Sequence, residues 1–265
     1  MNDSSLTDRY GPWAVIAGGS EGVGAEFAAL LAGSGINLVL LARKPDPLRD
    51  TEARCRALGA DVRTAIVDLT APTMLDEIDA VVDSVDVGLL IVNAGANSYR
   101  HEVAGADLAA MRAVVELNVM APLILAQRFA GPMVERGRGG ILTVGSMSGF
   151  TGTAGLSAYA GSKAFSRIFT ESLWVELRDR GVDVLQLILG ATRTPAMERV
   201  GLNFDAMGDR VSDPLNVAEL GLQQLPNGPV QVIESNALAQ LPPQPADRAA
   251  TVLENHRLMQ RLMKG

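Results

Sequence analysis

Gly18-Gly19-Ser20-Glu21-Gly22-Val23-Gly24 follows directly on the apolar run Trp13-Ala14-Val15-Ile16-Ala17, and helical periodicity starts at Val23. Glycines let the chain turn tightly and bring backbone N–H groups up to an anion, and the helix dipole adds to that attraction. A strand before the motif and a helix after it are the context in which it reads as a pyrophosphate site. The alternative is a tight turn with no ligand.

Working outward, short apolar runs at 13–17, 37–42, 62–67, 87–92, 141–144 and 182–189 read as strands, and 227–232 as a last one. Most are apolar on both faces, as in a parallel sheet covered on each side. Helical patterns lie between them at 23–32, 47–58, 73–83, 108–136 and 157–180, with a kink or break expected at Pro122. This alternation predicts an α/β fold with a doubly wound parallel sheet, a single domain over residues 1–265. Residues 195–213 lack periodicity and read as a substrate loop or short helices over a site. Residues 244–264 read as a helical tail whose stripe of Ala249, Val252, Leu253, Leu258, Met259, Leu262 and Met263 suits packing or an oligomer contact.

A net charge of −7 speaks against binding to nucleic acid, and 4% aromatic residues leave few platforms for stacking bases. The single cysteine, Cys55, excludes an internal disulfide and reads as an ordinary helix residue. Met1 to Ser5 show neither the basic region nor the apolar core of a signal peptide. No uninterrupted apolar run reaches the roughly 18 residues of a membrane span. The expectation is a soluble, cytoplasmic protein without a membrane span.

The second strand ends at Leu41-Ala42-Arg43-Lys44. An acid near this point would hold the ribose hydroxyls of NAD, whereas an arginine pairs with the extra phosphate of NADP. Two cations stand there, which favours NADP(H). Glu21 pulls the other way, because it can sit near the same phosphate and repel it, so NAD(H) stays open.

Tyr159-Ala160-Gly161-Ser162-Lys163 sets a phenol and an ammonium four residues apart on one helix face. Ser146 closes the fifth strand thirteen residues earlier, and Asn93-Ala94-Gly95 ends the fourth at the sheet's carboxyl edge. With these residues the chain resembles the short-chain dehydrogenase/reductase family over roughly residues 11–195. The resemblance implies a Rossmann-type, three-layer α/β/α domain. It also implies an oxidoreductase that moves a hydride between a nicotinamide cofactor and a small-molecule carbonyl or alcohol. Asn118, Ser146, Tyr159 and Lys163 match the family's catalytic residues in order and spacing. The cofactor set it implies is Gly18, Ser20, Gly22, Val23, Gly24, Arg43, Asp68, Leu69, Asn93, Gly95, Tyr159, Lys163, Gly190, Thr192 and Thr194, with no metal.

On this resemblance Tyr159 donates a proton to the carbonyl oxygen, and Ser146 hydrogen-bonds the same oxygen. Lys163 binds the nicotinamide ribose, and together with the oxidised ring lowers the Tyr159 pKa from about 10. Asn118 holds a water that links the lysine to solvent. Ser148 is a rival to Ser146. His101 and His256 read as solvated histidines. Ala17 replaces the threonine that usually opens the glycine motif, and Leu189-Gly190 stands where Pro-Gly is usual. The glycine-rich stretch that follows the last strand in tetrameric members is absent, so homodimer and homotetramer both remain open. Met147, Phe150, Leu156, Met197, Val200, Leu202, Phe204 and Met207 suggest an apolar lining for a hydrophobic ketone or alcohol. Three alternatives stand beside reduction: an NAD-dependent alcohol or hydroxysteroid dehydrogenase working oxidatively, an epimerase or dehydratase holding its cofactor tightly, and a non-catalytic redox sensor.

Overall fold

Strands that are apolar on both faces need cover on both sides, and the chain supplies it with helices. The computed structural model describes residues 3–95, 99–199, 204, 207, 211–233 and 248–262. Seven strands form one sheet: β1 (Trp13–Ala17), β2 (Asn37–Ala42), β3 (Val62–Ile66), β4 (Val87–Val92), β5 (Gly139–Ser146), β6 (Val182–Leu189) and β7 (Val230–Val232). Their order is β3-β2-β1-β4-β5-β6-β7, and every neighbouring pair is parallel. The order reverses between β1 and β4, so their carboxyl ends open a crevice at the centre of one sheet edge.

Successive strand residues face opposite layers. Ile16, Leu38, Leu40, Leu89 and Leu187 enter one core, while Val15, Val39, Leu41, Leu90 and Ile141 enter the other. The first layer is covered by α1 (Asp3–Tyr10), α2 (Gly22–Gly33), α3 (Pro45–Ala57) and α9 (Pro214–Gln224). Phe27 of α2 has no exposed surface there, and its truncation to alanine would cost about 3–5 kcal/mol. The second layer is covered by α4 (Met74–Val82), α6 (Ala121–Arg136), α7 (Ser157–Leu177) and α10 (Arg248–Leu262), and α5 (Leu108–Val115) packs on α7. The short α8 (Pro195–Arg199) lies outside both layers.

The disturbance expected at Pro122 is a π turn, Glu116–Met120, between α5 and α6. Proline offers no N–H to the Asn118 carbonyl four residues back, and the widened turn absorbs the break. From Leu108 to Arg136 the helical stretch is long and apolar enough, by length and composition alone, to cross a membrane. Its Leu117, Leu125, Phe129 and Met133 pack into the second core, and Val114 is buried as well.

Two helices were not anticipated from the sequence. In α1, Tyr10 is fully buried and its hydroxyl donates to Asp183 Oδ2 at 2.7 Å. Asp183 sits at the start of β6, so this bond fastens α1 to the sheet's amino edge. In α9, Asp213 accepts from the backbone N–H groups of Leu215 and Asn216, at 2.8 and 3.2 Å. The tail helix α10 docks on α7: Arg248 reaches both carboxylate oxygens of the buried Glu171 at 2.7 and 2.6 Å. Ala249, Val252 and Leu253 pack against the second core, whereas the side chains of Leu258, Met259, Leu262 and Met263 lie outside the described residues.

Candidate active site

The glycine turn is closed by contacts that tolerate no side chain. Gly18 adopts φ +84°, and a Cβ there would stand 2.7 Å from the Ala94 nitrogen. A Cβ on Gly24 would lie 2.0 Å from the Gly18 carbonyl oxygen, so the first turn of α2 rests directly on the loop. Asn93 holds the turn from β4: its Nδ2 donates to the Gly18 oxygen at 2.8 Å. The backbone N–H groups of Asn93 and Ala94 both donate to Ala17 O, at 3.0 and 2.7 Å. These bonds tie the turn to β4 although Ala17 has no hydroxyl. The result is a cradle of backbone at the amino end of α2 that fits a pyrophosphate.

The second half of the crevice holds the residues expected to carry the chemistry. Ser146 ends β5, and its Oγ accepts from the Ser148 N–H at 3.2 Å. Tyr159 and Lys163 lie one turn apart on α7, with Lys163 Nζ 5.7 Å from the phenol ring centre. Lys163 is buried and donates to the Val144 carbonyl at 3.1 Å. Asn118, in the π turn, is also buried and donates from Nδ2 to Val114 O at 2.9 Å. A Cβ built on Gly95 would meet Lys163 Nζ at 2.8 Å and Asn118 Oδ1 at 2.9 Å. The glycine at the end of β4 therefore leaves open the space on which lysine and asparagine converge. Lysine can offer donors there to the hydroxyls of a bound nucleotide.

Burial sets the acid–base properties. It raises the Tyr159 pKa above the ordinary tyrosine value, and a hydrogen bond with Ser146 opposes that rise. Burial also pushes Lys163 down to about 8. The causes of the Tyr159 shift in the chain alone are burial and Ser146, while the Lys163 ammonium is bonded to the Val144 carbonyl; the lowering expected from Lys163 together with an oxidised nicotinamide belongs to the cofactor-bound state. In the chain alone the phenol is held as a proton donor.

The other expected residues fall around the same crevice. Asp68 accepts from the Thr70 N–H and hydroxyl, at 3.0 and 2.9 Å. The Thr70 N–H, with smaller help from the Thr70 hydroxyl and the Arg43 charge, holds its carboxyl below the usual range against burial. Leu69 beside it is buried. Thr192 is buried and bridges to Ser212, with Gly190 two residues before it. Thr194 packs against the turn: a Cβ on Gly22 would meet its Cγ2 at 2.9 Å. Ser20 O accepts from the Thr51 hydroxyl at 3.0 Å, and Val23 is buried in the first core. His101 is exposed and stacks on Tyr99, with ring centres 5.8 Å apart. Cys55 is buried, with its thiol pushed up to about 11, which fits the reading of an inert helix residue.

Of the expected apolar lining, Val200 and Leu202 lie outside the described residues. Phe204 is buried beneath the Arg193 guanidinium, 4.8 Å from its ring centre. Phe150 carries the Arg167 guanidinium at 4.6 Å, which packs it against α7.

Two features went unread in the sequence. A Cβ on Gly149 would stand 2.9 Å from the Lys163 carbonyl carbon and oxygen, so the turn after Ser146 presses on α7 at the lysine itself. Glu21, moreover, does not face the crevice alone. It pairs with Arg199 of α8 and lies 3.5 Å from Lys44 Nζ. Hydrogen bonds from Arg199 hold its carboxyl below the usual range. No sequence pattern links residues 21 and 199, whereas the adjacency of Gly149 to the Ser146 strand end was a usable signal.

The sequence model of the family described as short chain dehydrogenase matches residues 12–203. The chain belongs to that family. Members of that family are oxidoreductases that bind a cofactor of the NAD(P)(H) class. Its relatives include a very-long-chain 3-oxoacyl-CoA reductase of Pyricularia oryzae, 34% identical over 197 residues, which are 72% of this chain and 59% of that protein. The chain thus spans about three-fifths of that relative's length. A short-chain dehydrogenase from Sphingobium yanoikuyae, solved in complex with NADPH, is 28% identical with a TM-score of 0.78, over 96% of this chain and 95% of that one. The bulky-bulky ketone specific alcohol dehydrogenase from Comamonas testosteroni is 26% identical with a TM-score of 0.73, over 96% and 94% of the two chains.

Proposed function

We propose that this short-chain dehydrogenase is an NADP(H)-dependent reductase of bulky apolar ketones, with 3-oxoacyl thioesters as its substrate class. The observation that carries the reading is the convergence of Ser146, Tyr159, Lys163 and Asn118 on the crevice beside the glycine turn. The bound nicotinamide supplies the hydride. Tyr159, whose phenol is protonated at neutral pH, delivers the proton to the carbonyl oxygen. The Ser148 N–H occupies a lone pair of the Ser146 Oγ, which leaves the Ser146 hydrogen to be shared between the Tyr159 oxygen and the substrate oxygen. Lys163 spends one donor on Val144 O and turns the others to the ribose. Asn118 stands beside the lysine and holds a water there.

The substrate class is supported by the names of the relatives from Pyricularia and Comamonas and by the buried Phe204. The choice of NADP(H) is supported by Arg43 and Lys44 and by the NADPH-bound relative. The reading extends to a cytoplasmic homo-oligomer, consistent with one buried cysteine and with apolar Leu108, Val115, Phe165 and Ile168 exposed on α5 and α7.

The test is consumption of NADPH with a long-chain 3-oxoacyl thioester and with a small polar ketone. A kcat/KM at least about tenfold higher for the thioester is expected, roughly what one to two buried methylenes supply. Equal or reversed preference would remove the apolar substrate class. Oxidation of secondary alcohols with NAD alone would remove the reductive reading.

A further inference from the structure

Three charged side chains from distant parts of the chain meet on one carboxylate beside the glycine turn. Glu21 stands in the turn, Lys44 lies between β2 and α3, and Arg199 closes α8. Arg199 spans both oxygens of Glu21: Nη1 reaches Oε2 at 3.0 Å, and Nη2 binds Oε1. Lys44 Nζ lies 3.5 Å from the same Oε1. Two cations gathered on one carboxylate oxygen form a site that a phosphate oxygen fits equally well. The packing of Thr194 on Gly22 brings α8 to this place independently of the ion pair. Arg43, by contrast, acts on Asp68.

We propose that Glu21 sets how strongly the site holds the adenosine 2′-phosphate of NADP(H), by competing with that phosphate for Lys44 and Arg199. The inference rests on the NADP(H) reading above. Glu21 cancels one of the two positive charges, while a phosphate monoester brings nearly two negative charges at neutral pH. When nucleotide binds, the ammonium and guanidinium transfer from the carboxylate to the phosphate. The acid that pulls against NADP in the sequence is then a competitor already neutralised by the groups that read the phosphate. Arg199 makes α8 part of the nucleotide site, so the segment beside the crevice is fastened through the cofactor.

The experiment titrates wild type, Glu21→Gln, Lys44→Ala and Arg199→Ala with NADPH, NADH, adenosine 2′,5′-bisphosphate and AMP, with circular dichroism as the check on folding. Exposed ion pairs of this kind set the scale at about fivefold in affinity. Glu21→Gln tightens NADPH and the bisphosphate by that factor, and leaves NADH and AMP within about twofold. Lys44→Ala and Arg199→Ala each weaken the two 2′-phosphorylated ligands and spare the others. A folded Glu21→Gln with an unchanged NADPH to NADH ratio overturns the proposal. So does an Arg199→Ala that weakens all four ligands equally. If wild type prefers NADPH in those cases, Arg43 carries the phosphate and the cofactor reading stands. If wild type prefers NADH while Glu21→Gln swings toward NADPH, the proposal stands and the cofactor reading falls.

Discussion

The two sides of the crevice are held by different forces. The catalytic side, from Ser146 to Lys163, is anchored from within. Gly149 bears on the α7 backbone, Lys163 is tied to Val144, and a buried chain of hydroxyls runs below them. In that chain Thr143 meets Thr170 at 2.9 Å, and Gln186 donates to Ser166 at 2.8 Å. The cover side, from Thr192 to Arg199, rests on a bridge to Ser212, a methyl contact with Gly22 and an exposed ion pair. Buried polar contacts cost free energy when broken singly, whereas exposed pairs are exchanged for water at little cost. On the proposed function, the geometry around Tyr159 is therefore fixed before anything binds, and the contacts proposed to recognise the ligand are the ones free to change.

Breaking the internal anchorage gives the larger effects. The largest concerns Glu171, which is buried with Arg248 as its ion-pair partner from α10. Arg248→Met strands that carboxylate, and a loss of about 2–3 kcal/mol in urea denaturation is expected, less than for a fully enclosed pair because the arginine is partly exposed. The double variant Glu171→Met/Arg248→Met should recover most of it. If the single variant costs nothing, α10 does not brace α7.

Next is Lys163, whose pKa of about 8 lies below the value of an unfolded lysine. Between those two values the unfolded chain binds the proton and the folded one does not, so stability rises with pH in that window. Relative to Lys163→Met, wild type should gain about 2 kcal/mol between pH 7.5 and 10, each pKa unit being worth about 1.4 kcal/mol. Parallel stability curves for the two proteins would mean that the lysine is solvated.

The smallest effect belongs to the cover. Arg199→Ala should change stability by less than about 0.5 kcal/mol, since its pair with Glu21 is exposed. A loss comparable to that of Arg248→Met would erase the distinction between the two sides.

What the sequence disclosed follows the same division. Strands β1, β2, β4 and β6 lie where their apolar runs begin and end, because burial on both faces writes itself into local composition. The clustering of the proposed site residues was legible because Tyr159 and Lys163 share a helix face and Ser146 and Asn93 stand at strand ends. Helix α1 was missed because its buried face rests on two residues, Leu6 and Tyr10. Helix α9 was missed although Asp213-Pro214 is a capping residue followed by a proline at the first helical position. The Glu21 triad and the rise that burial gives the Tyr159 pKa in the chain alone were beyond reach. The first depends on residues 178 positions apart, and the second on how much water the fold removes.

The central claim is that Tyr159 is the proton donor in a site already assembled. Single-turnover reduction of a 3-oxoacyl thioester by pre-bound NADPH, comparing wild type with Tyr159→Phe, tests it most directly. The account predicts a rate lower by about 10²–10⁴-fold, the range of general acid catalysis, with NADPH affinity unchanged within about twofold. A Tyr159→Phe enzyme that turns over at a near-normal rate would contradict it.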